Sequence, residues 1–152
     1  MTTRIVGTVI GLAIRTAVGG PMQELDRLEV AQDGGVAGDV AAPADRGITL
    51  MSSHQWQEVV EELGVDYPWH TRRANVLVDC DRLGHLMDQT LELGEVVIEV
   101  KGETDPCAVM ERIDPRLKQA LAPEWRGGIY GRVIQGGTIS LADTLKLRSA
   151  TD

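Results

Sequence analysis

The sequence is poor in aromatic residues. Of its 152 residues, three are Trp, two are Tyr and none is Phe. We therefore expect a hydrophobic core built mainly from Val, Leu, Ile and Met side chains. Hydrophobic residues make up 43% of the chain and charged residues 25%, which excludes intrinsic disorder and is typical of a globular protein.

Cysteine is scarce, and long hydrophobic runs are absent. Cys80 and Cys107 are the only cysteines, so neither a disulfide framework nor a zinc site built from cysteines alone is expected. No apolar run reaches the roughly 18 residues that span a bilayer, and no charged start leads into a signal-peptide core. We therefore expect a cytoplasmic protein without membrane contact, where a disulfide between the two cysteines is disfavoured.

Basic residues are also fewer than acidic ones. Fifteen basic residues face 23 acidic ones, giving a net charge of −8, so the chain would repel a nucleic-acid backbone. The negative charge is unevenly distributed along the chain, because residues 1–70 carry a net charge of −6 and residues 71–152 only −2. Arginines in the second half could still bind a small anion.

The length indicates one domain covering residues 1–152. Seventeen Gly and six Pro predict many turns and short elements. Residues 53–63 form the firmest predicted helix, since Trp56, Val59 and Leu63 share one face between Ser52 at a capping position and Gly64 at a stop position.

Residues 32–45 are expected to form an ordered loop, which at this length is typical of functional segments. Strands are predicted over 4–14, 25–31, 75–78, 95–101, 129–134 and 138–147, the last two joined by a glycine turn. These elements favour a mainly β, largely antiparallel, barrel-like fold with few helices.

The segment around Cys107 carries the clearest chemical signal. Asp105 can cap a helix and Pro106 suits its first position, so Cys107 would lie in the first helical turn. The positive end of the helix dipole favours a thiolate there, the form that binds a soft metal or carries a transferable sulfur. A small buried residue in a helix is the alternative interpretation. Cys80 follows an apolar strand, and a structural role is favoured for it.

Two arginine-containing segments suggest anion binding. One contains Arg72, Arg73 and Asn75, and the other contains Arg126, Tyr130 and Arg132 beside glycines that would let a ligand approach. Arginines that merely offset an acidic surface are the alternative. The three histidines have no metal-ligand spacing, so neither a zinc site nor a Ser-His-Asp triad is predicted.

Taken in order, these pieces resemble the MOSC domain family, whose name refers to the C-terminal domain of molybdenum-cofactor sulfurases. The resemblance spans residues 4–147. The matching pieces are Gly38-Asp39, Ile48-Thr49-Leu50, Arg73-Ala74-Asn75-Val76-Leu77-Val78, Leu93-Gly94-Glu95, Pro106-Cys107-Ala108-Val109-Met110-Glu111, Arg126-Gly127-Gly128-Ile129-Tyr130-Gly131-Arg132-Val133 and Gly136-Gly137-Thr138-Ile139 with Asp143.

The resemblance implies a β-barrel-like fold with Cys107 at its site. In relatives that reduce N-hydroxylated compounds, this cysteine is thought to ligate molybdenum in a molybdopterin cofactor, and in sulfurase-type relatives to carry a persulfide. By motif position Cys107 would be both the catalytic residue and the metal ligand. Arg73 and Asn75 match the Arg-x-Asn element near the pterin, and Arg72, Arg126, Tyr130 and Arg132 are further candidates for cofactor binding.

The favoured function is therefore a molybdenum-cofactor protein that reduces small N-oxygenated substrates with electrons from a partner protein. The cofactor could be lost on purification. One alternative is a sulfur carrier that receives a persulfide on Cys107 from a cysteine desulfurase, and another is a non-catalytic module that binds an anion or a protein. Val40 stands where many members place a basic residue, and the longer relatives have an N-terminal cofactor-holding domain for which this chain has no room. No general acid is predicted, since Asp105 and Glu111 are equally suited to capping and solvent exposure.

Overall fold

The computed structural model describes residues 2–18, 20–104 and 108–148, apart from the side chains of Ala108 and Val109. Three α-helices accompany ten strands in this part of the chain. The helices are α1 (Ser53–Leu63), α2 (Ala108–Ile113) and α3 (Leu117–Leu121). The strands are β1 (Thr3–Arg15), β2 (Met22–Glu24), β3 (Arg27–Val30), β4 (Ile48–Ser52), β5 (Val76–Asp79), β6 (Thr90–Leu93), β7 (Val96–Glu103), β8 (Ile129–Gln135), β9 (Gly137–Ser140) and β10 (Thr144–Arg148).

Seven strands close into a mixed barrel. Their order is β10-β6-β7-β8-β4-β5-β1, and β1 closes the barrel by pairing with β10. Strand β2 extends the sheet beyond the end of β1, while β3 and β9 form a separate two-stranded sheet. Strands β4 and β5 are parallel and the other pairs are antiparallel. The predicted mainly β, barrel-like fold is thus confirmed.

The long strand β1 joins both edges of the barrel. Its first half pairs with β10, its middle with β5, and its last residues with β2. The register shifts between Ile5 and Gly7 and again between Val9 and Gly11. At Gly11 an added Cβ would lie 2.9 Å from the indole of Trp69, so the close packing of this ring against β1 depends on the missing side chain.

Apolar side chains fill two regions. The barrel interior holds Val, Leu and Ile, including the alternating residues Val96, Ile98 and Val100 of β7. The second cluster lies between the barrel and the helices, where Met51, Met110 and other residues of β4, β5 and all three α-helices pack around Trp56 of α1. No helix in the described part of the chain has the length and apolar character needed to cross a membrane.

Helix α1 matches its prediction at both ends. Ser52 caps it by accepting a hydrogen bond from the Gln55 backbone N–H at 3.2 Å, and Gly64 ends it in the left-handed conformation. The reciprocal half of a capping box is not formed, because the Gln55 side chain donates to the Glu124 carbonyl oxygen at 2.6 Å instead.

The prediction of a hairpin between strands 129–134 and 138–147 was wrong. The second segment is divided into β9 and β10, and β9 pairs with β3 rather than with β8. A turn separates β9 from β10. In this turn the Asp143 side chain accepts a hydrogen bond from the Ser140 backbone N–H, and Ala142 has a left-handed φ of 73°. Strands β2, β4 and β6 and helix α3 were not predicted. The three strands have only three to five residues each, too few for a clear period-two pattern.

Candidate functional site

A cleft of about 830 Å³ opens between the β1–β2 connection, the 3₁₀ helix Trp69–Arg72 and helix α2. Among the described residues that line it, two are arginines, one is a histidine and none is acidic. In a chain with a net charge of −8, a cleft lined in this way is locally cationic. The lining residues are Val18, Gly20, Pro21, Met22, Tyr67, His70, Thr71, Arg73, Arg112 and Ile113.

Arg73 is the one predicted cofactor-binding residue in the lining of this cleft. It ends the 3₁₀ helix with a left-handed φ of 68°, and its backbone N–H donates to the His70 carbonyl oxygen at 2.9 Å. Its guanidinium donates to the carbonyl oxygens of Gly20 and of Ala17, the latter at 3.3 Å. These contacts hold the side chain against the β1–β2 connection.

Asn75 lies two residues further on but is fully buried. Its Oδ1 accepts from the backbone N–H and the hydroxyl of Thr49, both at 3.1 Å. Its Nδ2 donates to the Ala13 carbonyl oxygen at 3.2 Å and to Asp39 Oδ2 at 3.1 Å. All these bonds are internal, so Asn75 joins β1, β4 and the Asp39 loop, and its contact with a cofactor stays a prediction.

Asp39 anchors the long loop that precedes β4. Its carboxylate receives two hydrogen bonds from the Arg15 guanidinium, at 3.1 and 2.8 Å, and one from the Arg15 backbone N–H at 2.6 Å. Burial alone would raise the pKa of Asp39, but the hydrogen bonds and charge of Arg15, with help from Asn75, outweigh it and lower the pKa. The carboxylate is therefore ionised at neutral pH, and it holds the loop beside the start of β5.

Arg72 is buried at the point where β7 ends. Its Nη2 donates to the Thr104 carbonyl oxygen at 2.8 Å. The Thr104 backbone N–H donates to the Gly128 carbonyl oxygen at 2.9 Å. A Cβ on Gly127 would lie 2.6 Å from the Thr104 carbonyl oxygen and 3.3 Å from the Arg72 guanidinium. The 3₁₀ helix, the end of β7 and the glycine pair thus meet three residues before Cys107.

Cys107, Asp105 and Pro106 lie outside the described residues. Helix α2 begins at Ala108, directly after the predicted thiol, and its residue Met110 is fully buried in the helical cluster. The described chain is therefore anchored on both sides of the cysteine, at Thr104 and at Met110.

The remaining predicted arginines have partners elsewhere. Arg126 Nη1 lies 2.8 Å from Glu62 of α1 and donates to the Ala120 carbonyl oxygen at 3.0 Å, which ties α1 to α3. Arg132 pairs with Asp33 at 2.9 Å and Asp45 at 3.2 Å on the outer surface. None of the described atoms that line the cleft belongs to either residue, so the structure does not bring them to Arg73.

Tyr130 is also separate from the cleft lining. The Arg46 guanidinium lies 4.5 Å from the centre of its ring, a cation–π distance. A Cβ on Gly102 of β7 would lie 2.6 Å from the Tyr130 hydroxyl oxygen, so the ring packs closely over that strand. A cofactor-binding role for Arg126, Tyr130 and Arg132 stays a prediction.

Cys80 is a buried thiol outside any disulfide. Its pKa is raised to about 11, mainly by burial. The hydrogen bond with Ser52 lowers the pKa, while the negative charges of Asp79 and Asp81 add to the rise. The thiol is protonated at neutral pH, as the structural role predicted for it requires. Among the described residues no group of three or more His, Cys, Asp or Glu side chains could hold a metal ion.

Three residues of the cleft were not singled out from the sequence. Arg112 lies on α2, five positions after Cys107, and helical proximity to the motif was the only signal that could have found it. His70 lies 3.9 Å from Glu24. The Tyr67 hydroxyl donates to Asp114 at 2.9 Å, which raises the pKa of Tyr67, and the bonds of Arg116 and Tyr67 to Asp114 lower the pKa of that carboxyl.

A sequence model of the MOSC domain matches residues 34–146, about three quarters of the chain. The structure is similar to that of the YuaD protein from Bacillus subtilis, with a TM-score of 0.80 and 20% identity over 99% of both chains. It is also similar to YiiM from Escherichia coli, with a TM-score of 0.71 and 17% identity over 95% of this chain and 71% of that one. For YiiM from Geobacillus stearothermophilus the TM-score is 0.66, with 17% identity over 97% and 76% of the chains. No curated protein matches the sequence.

Proposed function

Since this chain belongs to the MOSC domain family, we propose that it binds a molybdenum–pterin cofactor with the Cys107 thiolate as metal ligand. The reaction is the reduction of a small N-oxygenated substrate. Two electrons from a partner protein and two protons break the N–O bond, and the oxygen leaves as water. A thiolate is a soft ligand of the kind that suits a heavy transition metal.

The observation that carries the proposal is the cleft beside α2, the helix that directly follows Cys107 in the sequence, whose described lining residues include two arginines and no acidic side chain. Molybdopterin ends in a phosphate, and Arg73 presents a held guanidinium to this cleft. Its volume of about 830 Å³ is within the range of cofactor sites in proteins. The described residues therefore fit the cofactor.

When bound, the cofactor supplies the two-electron chemistry at its metal. This chain's residues bind and orient it. Arg73 would hold the phosphate, and Asn75 and Asp39 keep the chain around Arg73 in place through their buried hydrogen bonds. Arg72 fixes the end of β7, from which the cysteine segment starts.

The test is the metal content of protein produced in a host that synthesises the cofactor. We expect close to one molybdenum atom per chain in the wild type and loss of the metal in Cys107→Ala. The matched control is Cys80→Ala, which removes the other thiol and should keep the metal. Wild-type protein without molybdenum under these conditions would overturn the proposal.

The same preparations distinguish the other functions. Incubation with a cysteine desulfurase would add the mass of one cyanide-labile sulfur to a Cys107 sulfur carrier, and intact-mass spectrometry would detect it in the wild type but not in Cys107→Ala. If molybdenum is bound, reduction of an N-hydroxylated amidine by a low-potential dye is expected. A metal-loaded protein without this activity would contradict the proposed reaction.

A further inference from the structure

We infer that residues Gly20–Glu24 form a movable strap along one wall of the cleft, and that Glu24 is the latch that holds this strap to the 3₁₀ helix. Three strap residues, Gly20, Pro21 and Met22, line the cleft together with residues of the 3₁₀ helix. The inference rests on the proposed function only for the identity of what the strap covers. The latch itself can be tested in the metal-free chain.

The strap is loosely packed. None of its five residues is buried, and none belongs to either hydrophobic cluster. Its strand β2 pairs with β1 at three positions and lies at the end of the sheet, with no strand on its other side in the described part of the chain. Segments with few buried apolar contacts and exposed backbone hydrogen bonds open at a low cost in free energy. The strap can therefore open while the barrel stays intact.

The 3₁₀ helix is firmly held by comparison. Trp69 packs against the helical cluster, and its indole lies so close to β1 that a Cβ on Gly11 would approach it to 2.9 Å. At the other end of this helix Arg72 is buried and donates to the Thr104 carbonyl oxygen at 2.8 Å. Because the helix is fixed to its surroundings, a contact between the strap and the helix restrains the strap.

Glu24 makes such a contact with two neighbouring residues of the helix. Trp69 Nε1 donates to Glu24 Oε1 at 3.1 Å, and His70 Nε2 lies 3.9 Å from Glu24 Oε2. The second distance exceeds that of a hydrogen bond by about 1 Å, so a small inward movement of the strap would complete it. At the other end of the strap, the Arg73 guanidinium donates to the Gly20 carbonyl oxygen. The strap is thus held to one helix at both of its ends.

The position of the latch connects it to the contents of the cleft. Pro21 and Met22 contribute apolar surface to the lining, and an organic ligand would cover that surface and favour the closed strap. Entry and release then require the Glu24 contact to break, so the latch limits both rates. Glu24 itself is not among the described lining residues, so it can be replaced without removing a side chain from the cleft.

Amide hydrogen exchange of the metal-free full chain, followed by mass spectrometry, tests the latch. We expect Glu24→Ala to speed exchange of the peptide containing residues 22–25 at least tenfold, because the strap then opens more often. Trp69→Phe removes the N–H donor from the other side of the contact and should act in the same direction. The matched control is Gln23→Ala, which truncates the neighbouring exposed side chain and should stay within twofold of the wild type. Exchange in β5 should be unchanged in all three variants.

Wild-type exchange in Glu24→Ala would overturn the inference. Equal acceleration in β5 would overturn it too, because Glu24 would then merely stabilise the fold. In molybdenum-loaded protein, Glu24→Ala should lose the metal on dialysis at least threefold faster than Gln23→Ala, and equal rates would refute the covering role of the strap. A wild type that never acquires molybdenum would overturn the proposed function alone, since exchange in the metal-free chain still decides the latch.

Discussion

At the scale of single residues, Gly127 decides whether three chain segments can meet. Its backbone lies against the Thr104 carbonyl oxygen and the guanidinium of buried Arg72, and a Cβ would collide with that oxygen at 2.6 Å. Its neighbour Gly128 has a φ of 97° and lies directly against the Leu50 carbonyl oxygen. The missing side chains therefore allow the end of β7 to be held by Arg72 and Gly128 at once.

Gly127→Ala is expected to destabilise the protein by about 1–3 kcal/mol, because backbone atoms rather than a flexible side chain must move to admit the methyl group. The free energy of unfolding, measured with urea, tests this. Gly35→Ala is the matched control, since its Cβ would meet only the Gly47 carbonyl oxygen at an ordinary 3.5 Å. Its stability should stay within about 0.5 kcal/mol of the wild type. Equal effects of the two substitutions would contradict the assigned role of Gly127.

At the scale of elements, Ser52 joins the end of β4 to the start of α1 and to the end of β5. Its hydroxyl oxygen accepts from the Gln55 backbone N–H at 3.2 Å. The same hydroxyl lies 2.6 Å from the Cys80 carbonyl oxygen and 3.0 Å from that of Asp81, to which it donates. Helix α1 thus begins where the parallel strands β4 and β5 end. The buried Ser52 side chain both caps the helix and binds the chain that follows β5.

Ser52→Ala should therefore cost more than an ordinary helix cap. We expect a loss of about 2 kcal/mol, because the N–H of Gln55 and a buried carbonyl oxygen both lose a partner. Ser53→Ala removes the adjacent hydroxyl and should change the free energy of unfolding by less than about 0.5 kcal/mol. Chemical denaturation of both variants measures the difference, and a Ser52→Ala variant as stable as Ser53→Ala would refute the dual role.

At the scale of the whole molecule, Asp39 connects parts of the chain that are distant in sequence. It joins the end of β1, through Arg15, to the start of β5, through Asn75. Its side chain is 3% exposed, so the ion pair with Arg15 is screened little by solvent. The barrel, the long loop and the Arg-x-Asn segment are held together at this carboxylate.

The lowered pKa of Asp39 makes its contribution to stability depend on pH. The unfolded chain binds the proton more readily, so the contribution is full above the unfolded pKa of about 3.9 and is lost as pH falls through the folded pKa. Asp39→Asn should lose about 3 kcal/mol at pH 7, and the gap from the wild type should narrow below about pH 4. Urea denaturation at several pH values measures this. Asp66→Asn, at an exposed position, should show no such gap, and a gap for Asp39→Asn that does not change with pH would contradict the linkage.

The sequence by itself determined the features that depend on neighbouring residues. The apolar stripe of α1, its Ser52 cap and its Gly64 stop all lie within one short segment, and the alternation of β7 needs no distant partner. The ordered set of short segments around Cys107 was enough to indicate the MOSC domain, and with it the barrel. Local periodicity and backbone conformation are properties of adjacent positions, so they can be read before the chain is folded.

Only the tertiary structure decided which side chains share the cleft. Arg132 is 99 positions from its partner Asp33, and Arg126 is held by Glu62 of α1, so arginines grouped in sequence point to different partners. Arg112 reaches the same cleft as Arg73 from a different element. The pairing of β9 with β3 instead of β8 has the same origin. Which charges and strands meet depends on how the barrel closes through β1 and β10, and that closure joins the two ends of the chain.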